Sequence, residues 1–312
     1  MKKTLITLIA AFALFASTAF AEISTYGYLD FFYENGGGKS DTGVYEFEYG
    51  MELTEEGSPW SAVIEVSYSD AAETTVELAD NIDDILDGST PFTGIDDLGT
   101  ISSSGDLAFE TFTLTYAASD ELSYTIGNIL SYQGFEAYDQ TGMYQYSYQA
   151  DGPVYSAGYA VGASVDYVTD DYSLGVWVGD TDTDESFEYL FAFTGIEGVT
   201  AKYIYADDPS YETDNFWISY ETGDYLFAYE TTETTGAGAV DMEMYLAYIA
   251  MGDAGLTLRY SDGVYGGVDY DKFTVSPSYA FSDAVFGLIE YSEVTSDDVD
   301  SSFTAVEVLY TF

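Results

Sequence analysis

The chain has 312 residues, 56 of them acidic and 6 basic, for a formal net charge of −50. So few lysines and arginines exclude a nucleic-acid partner, whose phosphates are bound by those side chains. Cysteine and histidine are both absent, which removes disulfides, thiolate chemistry and any Ser-His-Asp arrangement.

The first 21 residues read as an export leader. Lys2 and Lys3 form a positive start, Leu5 to Phe15 a short apolar core, and Ala19-Phe20-Ala21 a small-x-small cleavage site. The expected mature chain, 22–312, is a single unit. No later stretch approaches ~20 consecutive apolar residues, so no transmembrane helix is expected. Tyrosine (32) and phenylalanine (20) are abundant. Aromatic residues favour strands and form girdles at both rims of membrane barrels.

Sixteen candidate strands follow, each bounded by turn residues. They are Ile23–Glu34, Gly43–Thr54, Trp60–Ser69, Leu107–Ala117, Glu121–Leu130, Val154–Val168, Asp171–Asp180 and Ser186–Ile196. The second half supplies Gly198–Asp207, Asp214–Thr222, Asp224–Glu233, Val240–Met251, Ala254–Asp262, Tyr270–Phe281, Asp283–Glu293 and Ser302–Phe312. Short connections such as Glu197 and Ser282 alternate with longer ones such as Asn35–Thr42, Asp70–Asp106 and Ser131–Pro153. That alternation, with an even strand count, fits an all-β transmembrane antiparallel barrel with short periplasmic turns and longer outer loops. Within Asp70–Asp106, Val76–Leu86 has a loose helical spacing of apolar residues.

Period-two patterning separates the faces. In the last strand Val306, Val308, Tyr310 and Phe312 oppose Ala305, Glu307, Leu309 and Thr311. In the sixth, Tyr155, Val161, Val165 and Tyr167 oppose Ser156, Gly162, Ser164 and Asp166; in the twelfth, Val240, Met242, Met244 and Leu246 oppose Asp241 and Glu243. A soluble sandwich would show the same period with the apolar face inward. The leader, the even count and the aromatic end favour the membrane barrel.

The expected lumen acids are Asp30, Glu46, Glu48, Glu65, Asp166, Glu188, Glu221, Asp241, Glu243, Glu290 and Glu307, against the basic residues Lys202, Arg259 and Lys272. Rings of acids favour cations. Tyr26, Tyr28, Trp177 and Trp217 point inward too, and ordinary wall packing explains them better than stacking on sugars. Carboxylate pairs such as Asp83/Asp84 are expected by chance among so many acids, so catalysis is not expected. No cofactor is expected either. Loosely held calcium or magnesium is the one metal reading, and Asp180, Asp182 and Asp184 are its weak candidates, since an EF-hand needs a glycine where Glu185 stands.

The leader, the amphipathic strands, the opening Thr25-Tyr26-Gly27-Tyr28-Leu29-Asp30, the stretch Gly127 to Glu136 and the terminal Leu309-Tyr310-Thr311-Phe312 together resemble a Gram-negative outer-membrane porin, with similarity to the general porins and to the OmpL-like barrel porins. The resemblance implies a water-filled channel in the outer membrane for passive diffusion of small hydrophilic solutes and cations, and a homotrimer embedded in outer-membrane lipid. It also implies that the third outer loop folds inward and narrows the pore, placing Glu136 and Asp139 at the constriction. Two alternatives stay open: a structural or adhesive barrel whose acidic loops bind divalent cations or surface partners, and a substrate-selective sugar or cation channel.

Overall fold

The computed structural model describes residues 22–36, 39–54, 56–69, 75–78, 99–102, 106–136, 140–150, 152, 154–155, 158–181, 184–236, 239–297 and 299–312. The expected leader, 1–21, lies outside them. The strands in chain order are β1 (Glu22–Gly36), β2 (Lys39–Thr54), β3 (Trp60–Ser69), β4 (Thr75–Leu78), β5 (Gly99–Ser102), β6 (Asp106–Ala117), β7 (Leu122–Leu130), β8 (Tyr159–Val168) and β9 (Tyr172–Thr181). They continue as β10 (Asp184–Ile196), β11 (Val199–Asp208), β12 (Tyr211–Thr222), β13 (Tyr225–Gly236), β14 (Val240–Met251), β15 (Ala254–Tyr265), β16 (Val268–Ser282), β17 (Val285–Ser296) and β18 (Val299–Thr311).

Sixteen of these strands form one closed antiparallel barrel; β4 and β5 pair only with each other, in the connection between β3 and β6. The sixteen correspond one to one with the strands read from the sequence. Closure joins the two ends of the chain. β1 pairs with β18 from Tyr28↔Thr311 to Gly36↔Phe303. Beyond that ladder, Gly27 and Phe312 exchange both backbone hydrogen bonds, at 3.1 and 3.0 Å.

Three expectations change. Most outer connections are short, because the strands run past the length needed to cross a bilayer and keep pairing, as at Gly36↔Lys39, Thr181↔Asp184 and Ser296↔Val299. Tyr265 pairs with Val268, leaving Gly266 and Gly267 as a two-residue turn with φ of 62° and 86°. Positive φ at both positions suits the right-handed twist of a hairpin, and glycine adopts it without strain. The sixth strand read from the sequence, β8 here, starts at Tyr159 and not at Val154, since Val154 and Tyr155 turn into the barrel and are buried there. Finally, Val76–Leu78 belongs to a strand rather than to a helix; 79–86 lie outside the described residues.

The barrel is inside-out relative to a soluble protein. Outward residues are large and apolar: Val161 is 66% exposed, Ile289 51% and Phe227 48%. Inward residues are polar yet buried, among them Thr213, Asn215, Thr232, Thr257, Ser261, Thr274 and Ser292. An apolar band running around a closed barrel matches a lipid surround.

The seam sets the first prediction. A Cβ at Gly27 would lie 2.3 Å from the Glu48 carbonyl oxygen and 2.8 Å from the Phe312 ring. Gly27→Val should therefore cost about 1–3 kcal/mol by overpacking. The check is the urea midpoint of the detergent-folded barrel, followed by its heat-modifiable migration on gels; an unchanged midpoint would show that the seam tolerates the side chain.

Candidate functional site

The connection between β7 and β8, residues 131–158 (hereafter L3), enters the barrel and is fixed to the wall by charged side chains. Three buried glutamates accept its N–H and O–H groups. On β10, Glu188 accepts from Ser131 Oγ at 2.6 Å, the Tyr132 amide at 2.7 Å and Gln133 Nε2 at 2.7 Å. On β13, Glu230 accepts from the Phe135 amide at 2.9 Å, Gln149 Nε2 at 2.6 Å, Tyr155 Oη at 2.9 Å and Asn215 Nδ2 at 2.8 Å. On β17, Glu290 accepts from the Ser147 amide at 2.9 Å, from Ser147 Oγ, and from Ser292 Oγ at 2.6 Å. Hydrogen bonds to an ionised acceptor are the stronger kind.

Two bases grip the opposite kind of group. Arg259 on β15 pairs with the Glu136 carboxylate at 2.5 Å and donates to the Tyr148 carbonyl at 2.5 Å. Lys272 on β16 donates to Ser147 Oγ at 2.7 Å and to the Tyr148 carbonyl at 2.8 Å. Wall acids therefore hold loop donors, while wall bases hold loop acceptors. Apolar contacts complete the seat. Ala150, Val154 and Tyr155 pack against Val240, Met242, Tyr270 and Val294. Phe135 and Tyr144 pack against Ala228, Met244 and Leu246. Tyr146 stacks on Phe32 at 6.0 Å and meets Tyr45 edge-on at 5.8 Å.

The residues read from the sequence separate into several groups. Glu136 is 3% exposed and is spent on Arg259, so it faces the wall and not the passage. Asp139 lies outside the described residues. Glu188 and Glu290 are wall acids covered by L3. Asp166 accepts from Tyr132 Oη at 2.5 Å and from Ser164 Oγ at 2.7 Å. Glu46 and Glu65 are part-exposed, and they accept from Tyr28 Oη at 2.6 Å and Tyr26 Oη at 2.5 Å. Glu48 points inward and is buried; Glu221 sits exposed toward the end of the barrel that carries the termini. Lys202 points inward with its Nζ 5.1 Å from the Trp217 ring. Trp177 and Trp217 are buried in the wall.

Asp241 and Glu243 require a correction: both point outward and are exposed. The inward face of β14 is the apolar one, Val240, Met242, Met244 and Leu246, because it packs the folded-in loop. Tyr245 Oη donates to Glu243 at 2.7 Å on the outer surface. There Glu243 lies opposite Asp262, and Asp262 opposite Asp271, in one outward row. Asp182 and the side chains of Asp180 and Asp184 lie outside the described residues, among which no group of three or more acids is arranged to hold a metal. Sequence reasoning missed Glu230, the most heavily used anchor. Its signal was the alternation in Tyr229-Glu230-Thr231, which puts the glutamate on the lumen face.

Exposure divides the lumen in two. Inward residues of β12 to β17 are closed off: Asn215, Glu230, Met244, Thr257 and Glu290 are all 0% exposed. Across from them, inward Glu46, Glu65, Glu110, Thr113 and Thr115 on β2, β3 and β6 stay part-exposed. L3 thus fills one side and leaves a wet side lined by acids.

The network sets two predictions. Arg259→Met would leave the Glu136 carboxylate buried without its counter-charge, at a cost of about 3–5 kcal/mol. L3 of this variant should become cleavable in limited proteolysis, and adding Glu136→Gln should restore much of the protection; equal resistance in all forms would deny the clasp. Burial holds the phenols of Tyr132, Tyr144, Tyr146 and Tyr155 above their ordinary value, and nearby carboxylates add to the effect. Because the folded values are raised, the stability these groups confer is complete below about pH 10 and is lost as pH climbs through the folded values. A phenolate absorbance titration should show a late phase that coincides with loss of structure, whereas one phase near pH 10 would contradict it.

No protein-family model matches the sequence, and no curated protein matches it. Solved structures do. A porin of Rhodopseudomonas blastica, in an engineered form, is 14% identical with a TM-score of 0.61, covering 93% of this chain and 100% of that one. A form of OmpT, an outer membrane protein of Vibrio cholerae, lacking loop L8 is 13% identical with a TM-score of 0.64, covering 93% and 99%. In-vitro-folded OmpT in its trimer form is 12% identical at 0.61, with the same coverage. At these identities the likeness is one of architecture: the chain has the porin-like sixteen-stranded barrel fold of bacterial outer-membrane proteins.

Proposed function

We propose that this chain is an outer-membrane porin, a passive, water-filled and cation-preferring channel for small hydrophilic solutes and ions, with no enzymatic activity and no cofactor. One observation carries the reading. The wet side of the lumen is lined by Glu46, Glu65 and Glu110, and no basic residue occurs between Lys39 and Lys202 to offset them. Fixed acids along a pore wall raise the local concentration of cations and lower that of anions. Glu136 does not line the passage as the porin resemblance implies. The loop acid Glu136 is neutralised by the wall behind it, so selection falls to the opposite wall.

In this reading residues 1–21 are removed on export, and the mature barrel sits in the outer membrane of a Gram-negative cell. A homotrimer is part of the proposal, and the trimer form of the structurally similar OmpT is in keeping with it. Calcium or magnesium would be held no more than loosely.

A structural or adhesive barrel is the second reading. The packing of L3 against β12 to β17 favours it, since that packing fills one side of the lumen.

The deciding measurement is the reversal potential of the refolded protein in a planar bilayer under a salt gradient. The wild type should be cation-selective. Combined Glu46→Gln and Glu65→Gln should lower the cation-to-anion permeability ratio several-fold, while Glu136→Gln made together with Arg259→Met, which removes both charges of the clasp, should leave it nearly unchanged. Loss of selectivity with that pair would return control to L3. A correctly folded barrel that does not conduct would leave the adhesive reading.

A further inference from the structure

On the inner face of the seam two carboxyl groups meet without any donor between them. Asp30 of β1 is 0% exposed, and neither of its carboxylate oxygens receives a hydrogen bond. Glu307 of β18 is 4% exposed, and its Oε1 likewise receives none. The residues are diagonal neighbours across the seam on the same inward face, through the pairs Asp30↔Leu309 and Phe32↔Glu307, and each is close enough to influence the other's protonation.

Two buried carboxylates this close cannot both be ionised without a very large penalty. Relief has to come from a donor, a cation or a proton. The donors nearby are committed elsewhere. Tyr28 Oη donates to Glu46, and Lys272 Nζ to L3. The other titratable neighbours offer no positive charge: Glu46 and Tyr45 on β2, Glu34 on β1, Glu290 on β17, and Tyr146 and Tyr148 of L3. Asp30 is fully enclosed, and among the described residues no third carboxylate completes a metal ligand set.

The geometry points to a proton-binding site: we propose that Asp30 and Glu307 hold one proton between them, and that L3 seals it. The seal is aromatic. Tyr146 of L3 stacks on Phe32, meets Tyr45 edge-on and packs in one cluster with Leu288 and Ala305; Phe32 and Leu288 are the residues paired with Glu307 on its two sides. The residue after Tyr146, Ser147, is the one Glu290 and Lys272 hold. Releasing the proton to water leaves two like charges that require hydration. Water reaches them by displacing Tyr146, and with it that stretch of L3. The seam would then report external pH to the loop that sets the width of the passage.

Two measurements test this. In infrared difference spectra of the folded barrel at neutral pH, a protonated-carboxyl C=O band that shifts in D2O should be present in the wild type and lost in both Asp30→Asn and Glu307→Gln. The amide introduced by Asp30→Asn donates to Glu307 without needing a proton, so that variant should fold, as its heat-modifiable migration would show. In planar bilayers, wild-type conductance should change reversibly in an alkaline step that Asp30→Asn abolishes. Tyr146→Ala, which opens the seal, should shift loss of the infrared band to lower pH and lose the conductance step. A wild type without the band, or with a band that survives both substitutions, would overturn the proton site. An alkaline step that persists unchanged in Asp30→Asn would overturn the coupling to L3. If neither single variant folds, titrating the wild-type band decides: a band lost together with the conductance step supports the site, and a band constant through the step overturns it. The conductance arm rests on the channel reading and the infrared arm does not, so a silent bilayer with the band present would fault only the former.

Discussion

A strand edge has no partner in hydrocarbon, and this constraint governs the whole molecule. An unpaired backbone N–H or C=O inside a bilayer costs several kcal/mol, so a sheet that crosses one has to close. Here closure falls to the two ends of the chain, where Gly27 and Phe312 trade hydrogen bonds and the β1–β18 ladder continues from them. The glycine is required because the ring of Phe312 and the backbone of β2 occupy the space a side chain would need. With the edges satisfied, the outside is free to be apolar and the inside free to carry charge.

That interior charge does mechanical as well as electrostatic work. A long loop placed inside a barrel brings backbone N–H and C=O groups that no ladder satisfies. Glu188, Glu230 and Glu290 take the N–H groups, while Arg259 and Lys272 take the carbonyls. Few basic residues exist in the chain, and two of them are committed to this task. The acids of β2, β3 and β6 lie on the side that L3 leaves uncovered, and the asymmetry of the lumen follows from how a loop is held down.

Much of this architecture is legible in the sequence because each strand carries different chemistry on its two faces. Alternation of Tyr, Val and Phe with Ser, Gly and Glu is enough to find all sixteen strands and their order. It does not say which face is inside. For β14 the rule that apolar means outward fails, because Met242 and Met244 pack against L3 while Asp241 and Glu243 extend beyond the apolar band. The start of β8 is misplaced for a related reason. Val154 and Tyr155 keep the alternation of the strand, but their apolar bulk is used inside the barrel. The anchors of L3 are harder to see. Their partners are mostly backbone groups, which leave no mark on a sequence, so Glu188 and Glu290 read as pore lining and Glu230 escapes notice.

The outward row of Glu243, Asp262 and Asp271 has a consequence of a different kind. Like charges directly opposite one another on a sheet are destabilising, and among the described residues these three face no cation on their own surface. Their repulsion is bounded by the solution: the screening length falls from about 10 Å at 0.1 M salt to about 3 Å at 1 M. The collar of the barrel therefore behaves as a polyelectrolyte whose cohesion is supplied by its surroundings. A protein built this way carries its preferred salinity in its surface, and dilution alone would strain it where the wall leaves the lipid.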